Sequence, residues 1–116
     1  MLNTVNRVKK NKEFNYIYKK GEFYNCKYFL VHYVPTRLND IKVGFSVNKK
    51  IGNSVVRSKY KRVMSEIVRL KLPIMILKNY VITLKPEIVQ AEHDILVREF
   101  DKFLSKCNLI KDTKDV

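Results

Sequence analysis

The stretch that decides the fold is Ile51–Leu70, IGNSVVRSKYKRVMSEIVRL. Turned at about 100° per residue, it gathers Val56, Tyr60, Val63, Met64 and Ile67 within an arc of roughly 100°, the width by which a helix packs on a core. Arg57, Ser58, Lys61, Arg62, Ser65 and Arg69 take the rest of the circumference. The pattern predicts a helix over residues 53–71, begun at Asn53 and ended before Pro73. Its single acid is Glu66, which stands at i, i+4 from Arg62 and can pair with it. That leaves Arg57, Lys61 and Arg69 without an acid at helix-neighbour spacing. Like charges so placed repel by a few tenths of a kcal/mol per pair. A solvated face gains nothing from this; a row of phosphates compensates it. Lys49 and Lys50 precede Gly52 and Asn53 at the helix start, where free backbone amides also favour anions.

Working outward, Ile41–Val47 alternates, with Ile41, Val43, Phe45 and Val47 on one face and Lys42, Gly44 and Ser46 on the other. This is a half-buried strand. Before it, KYFLVHYV (27–34) is rich in β-branched and aromatic residues and runs into Pro35, so it reads as a strand and as a hairpin partner of 41–47. Tyr28, Leu30 and His32 share one of its faces, Phe29, Val31 and Tyr33 the other. One face packs on the core. The other is either covered by helices or presents rings and apolar groups beside Gly44 and Ser46, a surface on which single-stranded nucleic acid stacks its bases. A third short strand is expected near residues 22–26. Upstream, Asn11 caps a helix over 12–20 that stops at Gly21, with Phe14, Ile17 and Tyr18 on one face. Downstream, Tyr80–Leu84 is an unbroken apolar run suited to a strand buried on both faces. A last helix over 87–107 aligns Leu96, Phe100, Phe103, Leu104 and Cys107. The order α-β-β-β-α-β-α gives one α+β domain, 1–116, with helices packed on a central sheet. Residues 1–10 and 108–116 read as flexible ends.

The chain carries 24 Lys and Arg against 11 Asp and Glu. The imbalance is local: residues 1–71 hold 17 basic and 4 acidic residues, a net of +13, and residues 72–116 hold seven of each. Such asymmetry points to a polyanion, whether RNA, DNA or an anionic membrane surface. Membrane binding needs an amphipathic helix free to insert, and here the apolar stripe is required for the core. The N-terminus MLNTVNRVKKNKEF has no apolar signal region, and no apolar run reaches the roughly 20 residues that span a bilayer. Cys26 and Cys107, without a CxxC, read as reduced thiols of a cytoplasmic protein.

No catalytic constellation stands out. His32 and His93 are isolated from cysteine and from each other, so neither suggests a metal site. Ser54, Ser58 and Ser65 lack a paired histidine. Glu92, Asp94, Glu99 and Asp101 share a helix with balancing Lys and Arg and read as a solvated face. There is no P-loop, GxGxxG or GxxG loop.

The segment VGFSVNKKIGNSVVRSKYKRVMSE closely resembles the signature of the protein subunit of bacterial ribonuclease P. That family shows a strand, a Lys-Lys-x-Gly-x-Ala/Ser-Val turn, and a helix with Arg-Asn-x-x-Lys-Arg-x-x-Arg-Glu. Here the helix gives Arg57-Ser58-x-x-Lys61-Arg62-x-x-Ser65-Glu66, matching four of six positions. RVKKNKEFNYIYKKG is similar to the family's first segment, and YVITLKP to its penultimate strand.

The resemblance implies an RNA subunit that carries the active site and a protein that assists it. The reaction is phosphodiester hydrolysis that removes the 5′ leader from precursor tRNA. The expected partners are ribonuclease P RNA and precursor tRNA, with Mg²⁺ bound mainly by the RNA. It further implies that Arg57, Lys61 and Arg62 contact RNA, and the basic helix and its entry add Lys49, Lys50, Asn53, Ser58 and Arg69 to the candidate RNA-binding set. A cleft formed by Phe14, Tyr18, Leu30 and His32 would hold the leader. It also implies a mixed sheet with a left-handed β-α-β crossover, against the usual hand. Ser58 and Ser65 depart from the family's Asn and Arg, and Ser65 would remove a charge from the centre of the basic face. His32 stands where Tyr is common, which allows charge below about pH 6.5. A structural RNA-binding protein, such as a small ribosomal protein, is the alternative from composition alone.

Overall fold

An apolar strand buried on both faces needs a neighbour along each edge, and Lys78–Leu84 (β4) has both. In the computed structural model, which describes residues 11–36 and 39–111, β4 lies between Phe29–Pro35 (β2) and Lys42–Val47 (β3). It pairs antiparallel with β2 and parallel with β3. Glu22–Asn25 (β1) adds an antiparallel edge strand to β2, giving the order β1-β2-β4-β3 in a mixed sheet. The expected hairpin between β2 and β3 is therefore not formed. The alternation of β3 suits either neighbour, but only insertion of β4 between them covers Tyr80–Leu84 on both edges. The connection from β3 to β4 is the helix Ser54–Lys71 (α2), so the β-α-β crossover is present.

Each sheet face has its own covering. Phe29, Val31, Tyr33, Val43, Tyr80, Ile82 and Leu84 enter the main core. They meet Met64, Ile67 and Val68 of α2, and Leu96, Phe100, Phe103 and Leu104 of His93–Lys106 (α3). On the opposite face, Asn11–Lys20 (α1) lays Ile17 on Val34 and Val81, with Phe14 packed alongside. The α1 helix closes on Gly21, whose amide donates to the Ile17 carbonyl at 2.9 Å. A Cβ on Gly21 would lie 2.5 Å from that oxygen and 2.8 Å from the Tyr33 carbonyl oxygen, so glycine permits this close approach of helix and sheet.

The buried stripe of α2 differs in detail from the sequence expectation. Val56, Tyr60 and Val63 are half-buried, whereas Ser65 and Val68 are buried with Met64 and Ile67. The second half of α2 is flanked by α3 and by the turn Leu72–Ile74, which widens the covered arc. Lys71 Nζ and an Asp101 carboxylate oxygen join α2 to α3 at 2.9 Å. The last helix also starts later than expected. Pro86–Gln90 is a 3-10 turn anchored by Ile88, and extended backbone at Ala91 and Glu92 resets the phase before α3 begins.

The chain past α3 is docked as far as Lys111, not frayed from 108. Asn108 takes φ 55°. Its amide donates to the Ser105 carbonyl, and the Leu109 amide to the Leu104 carbonyl, a Schellman closure. Leu109 is buried, Ile110 bridges Met75, and the Lys111 amide donates to the Ile74 carbonyl at 2.7 Å. The expected flexible segment 1–10 lies outside the described residues.

Candidate nucleic-acid interface

Sheet register shows which residues form the floor beside α1. On the α1 side, Asn25, Leu30, Thr83 and Ser46 stand side by side in one row across the four strands. The next row is Phe23, His32, Val81 and Gly44. Val34 and Val81 lie under α1, while the first row stays partly open: Leu30, Thr83 and Ser46 are half-buried and Asn25 is exposed. The wall is α1 itself. Phe14, Asn15 and Tyr18 face Phe45 and Ser46 across an open groove of about 460 Å³.

All four cleft residues from the sequence belong to this region. Phe14 and Tyr18 are one turn apart with ring centroids at 6.5 Å. Tyr18 meets the edge of His32 at 5.0 Å and 88°. Leu30 and His32 stand on the same face of β2. His32 Nδ1 is out of solvent and without a hydrogen-bond partner among the described residues. Burial holds the His32 pKa below its ordinary value, so its ring stays neutral to lower pH than the bare residue type suggests. Asn15, Phe45 and the exposed Phe23 were not singled out in the sequence. Phe23 lies in the strand that pattern alone placed only loosely, and its pairing with His32 is a matter of register.

The basic face is built on a capped helix. Asn48 Oδ1 accepts from the Lys50 amide at 2.8 Å, shaping a 3-10 turn over Lys49–Ile51. Gly52 follows with φ 156°, where a Cβ would press on Val56 at 3.0 Å. Asn53 then caps α2, its Oδ1 accepting from the Val56 amide at 3.0 Å. Lys49, Lys50, Asn53, Ser58, Lys61 and Arg62 are exposed. Arg57 is half-buried, and its Nε is shielded from solvent with no partner among the described residues.

Two expectations are corrected here. Glu66 accepts from Arg69 Nε at 2.9 Å, so Arg69 does have an acid at helix-neighbour spacing, three residues before it. Ser65 is buried, not central on the basic face. A serine there fits the covered side of α2, and the exposed side keeps its basic residues. Ser46 of the groove stands three residues before Lys49, so the floor runs along the chain toward the helix start.

Fold and site together define a class: a basic α+β module that sets a lysine- and arginine-bearing helix face beside an aromatic groove. The sequence profile described as Ribonuclease P matches residues 2–108. The chain belongs to the ribonuclease P protein family, the protein component of a tRNA-processing endoribonuclease. It is 34% identical over 112 residues to the Ribonuclease P protein component of Natranaerobius thermophilus, covering 95% of this chain and 96% of that one. A 67-residue stretch is 43% identical to the Clostridium botulinum (strain 657) protein of the same name, 60% of that protein's length. The solved Staphylococcus aureus RNase P protein superposes with a TM-score of 0.84 at 25% identity, covering 91% of this chain and 98% of that one.

Family membership brings an RNA partner and sets aside the ribosomal alternative. Among the described residues, no group of three or more His, Cys, Asp or Glu is placed to hold a metal ion. No helix among them is long and apolar enough to cross a membrane.

Proposed function

We propose that the exposed face of α2 and its lysine-bearing start hold backbone phosphates of ribonuclease P RNA, while the groove between α1 and the sheet holds the single-stranded 5′ leader of precursor tRNA. The observation that carries this reading is the open row Asn25-Leu30-Thr83-Ser46 beside the rings of α1, on a fold whose other sheet face is fully used by the core. Sugar and base surfaces suit the half-apolar floor, and rings stack bases without strict sequence choice. Lys49, Lys50, Arg57, Lys61 and Arg62 supply the charge that phosphate neutralisation requires. The protein's residues bind and orient; the reacting groups belong to the RNA subunit. Among the described residues no acidic cluster is placed to hold a metal ion, and the one acid of α2, Glu66, pairs with Arg69. On this reading Mg²⁺ is bound mainly by the RNA subunit. On this reading the protein works in the cytoplasm with its tRNA substrates.

The test is reconstitution. Purified protein should leave precursor tRNA intact. With the RNA subunit it should yield mature 5′ ends, and the holoenzyme should bind leader-bearing tRNA more tightly than mature tRNA. Correct-site cleavage by RNase-free protein alone, or equal affinity for the two tRNAs, defeats the proposal.

A further inference from the structure

The chain has six phenylalanines, and five of them are buried or half-buried. Phe23 is the exception, 67% exposed on the edge strand β1. It belongs to neither buried cluster. A single exposed ring is common and needs no explanation by itself. Its placement does call for one. Phe23 is the direct cross-strand partner of His32, with ring centroids 6.1 Å apart and planes tilted by 39°. His32 in turn meets Tyr18, and Tyr18 meets Phe14. The rings form a continuous chain, Phe14-Tyr18-His32-Phe23, that starts on the helix wall and crosses β2 to the sheet edge.

We infer that Phe23 is a further leader-binding residue, a stacking platform at the sheet edge that takes a nucleotide beyond those held between α1 and β2. The inference rests on the reading of the groove as the leader site. Ring separations of 5 to 6.5 Å along the chain put each platform within one nucleotide's reach of the next. Phe23 sits where the covering by α1 ends, with most of its ring free for a base. A bare phenyl ring carries no hydrogen-bonding group, so the chemistry recognised is an unpaired base of any identity on a strand long enough to reach the edge.

The sequence contains no tryptophan, so Phe23→Trp gives a fluorescence signal from this position alone. In the holoenzyme reconstituted with this variant, precursor tRNA with a long leader should change the indole emission, and mature tRNA should not. Phe23→Ala should weaken binding of the long-leader substrate by about 5- to 150-fold, with mature tRNA and a one-nucleotide leader bound as before. Phe14→Ala, measured in parallel, separates the two ideas. If Phe14→Ala is leader-dependent while Phe23→Ala is silent, the edge platform is wrong and the groove stands. If neither is leader-dependent, both fall. An equal loss with every tRNA would show Phe23 against the RNA subunit and would also overturn the assignment.

Discussion

At His32 three elements meet: its own strand, the Tyr18 ring of α1 and the Phe23 ring of β1. Its pKa is lowered by burial. Folding therefore favours the neutral ring. The unfolded chain takes up the proton first as pH falls, and stability present above pH ~6.5 is lost as pH drops from there toward the folded value. The His32 ring protons followed by NMR in the free protein should titrate with a midpoint below 6.5; a midpoint at or above it contradicts the packing described. Lys61 is a different kind of residue, exposed and remote from the core. Lys61→Ala should leave the melting transition in place and reduce the log–log salt slope of RNA binding by roughly 0.7–0.9. An unchanged slope would remove Lys61 from the phosphate-binding face.

Elements show where sequence periodicity sufficed and where it did not. Six of the seven elements are legible in their order, because each carries its own repeat and a start or stop signal, such as Gly21 after α1 or Asn53 before α2; β1 is placed only loosely by pattern. The partner of β3 was not legible, since an alternating strand does not state which neighbour it takes. Nor was burial of Ser65, because the angular stripe of α2 assumes one packing surface and the helix has two. The cleft residues Phe14, Tyr18, Leu30 and His32 came from family resemblance; spacing alone left that face of β2 undecided between covered and open. The closure after α3 was missed for a local reason: Asn108 in a left-handed conformation ends a helix as glycine does. Its consequence is measurable. Leu109 is 2% exposed, so Leu109→Ala should cost about 2–5 kcal/mol in chemical denaturation. A loss below about 0.5 kcal/mol would mean that the segment is not docked.

At the scale of the whole molecule, one sheet serves two unequal purposes. Its main face is saturated by α2 and α3, whereas its second face carries a single helix that leaves one row of residues open. On the proposed reading, the leader groove and the larger core lie on opposite sides of the sheet, so core substitutions distant from the groove should act largely independently of leader binding. Gly21 is the point at which this separation can be probed. The missing side chain works as a feeler gauge between helix and sheet. Its would-be neighbours are backbone oxygens of Ile17 and Tyr33, which cannot swing aside as a flexible side chain does. One methyl group would therefore act as a wedge at the heel of α1, levering the Phe14–Tyr18 wall away from the floor. Gly21→Ala should cost about 1–3 kcal/mol through overpacking and lower affinity for leader-bearing tRNA, while affinity for the RNA subunit holds. A variant with unaltered stability and leader affinity would show that the spacing of α1 is not set there.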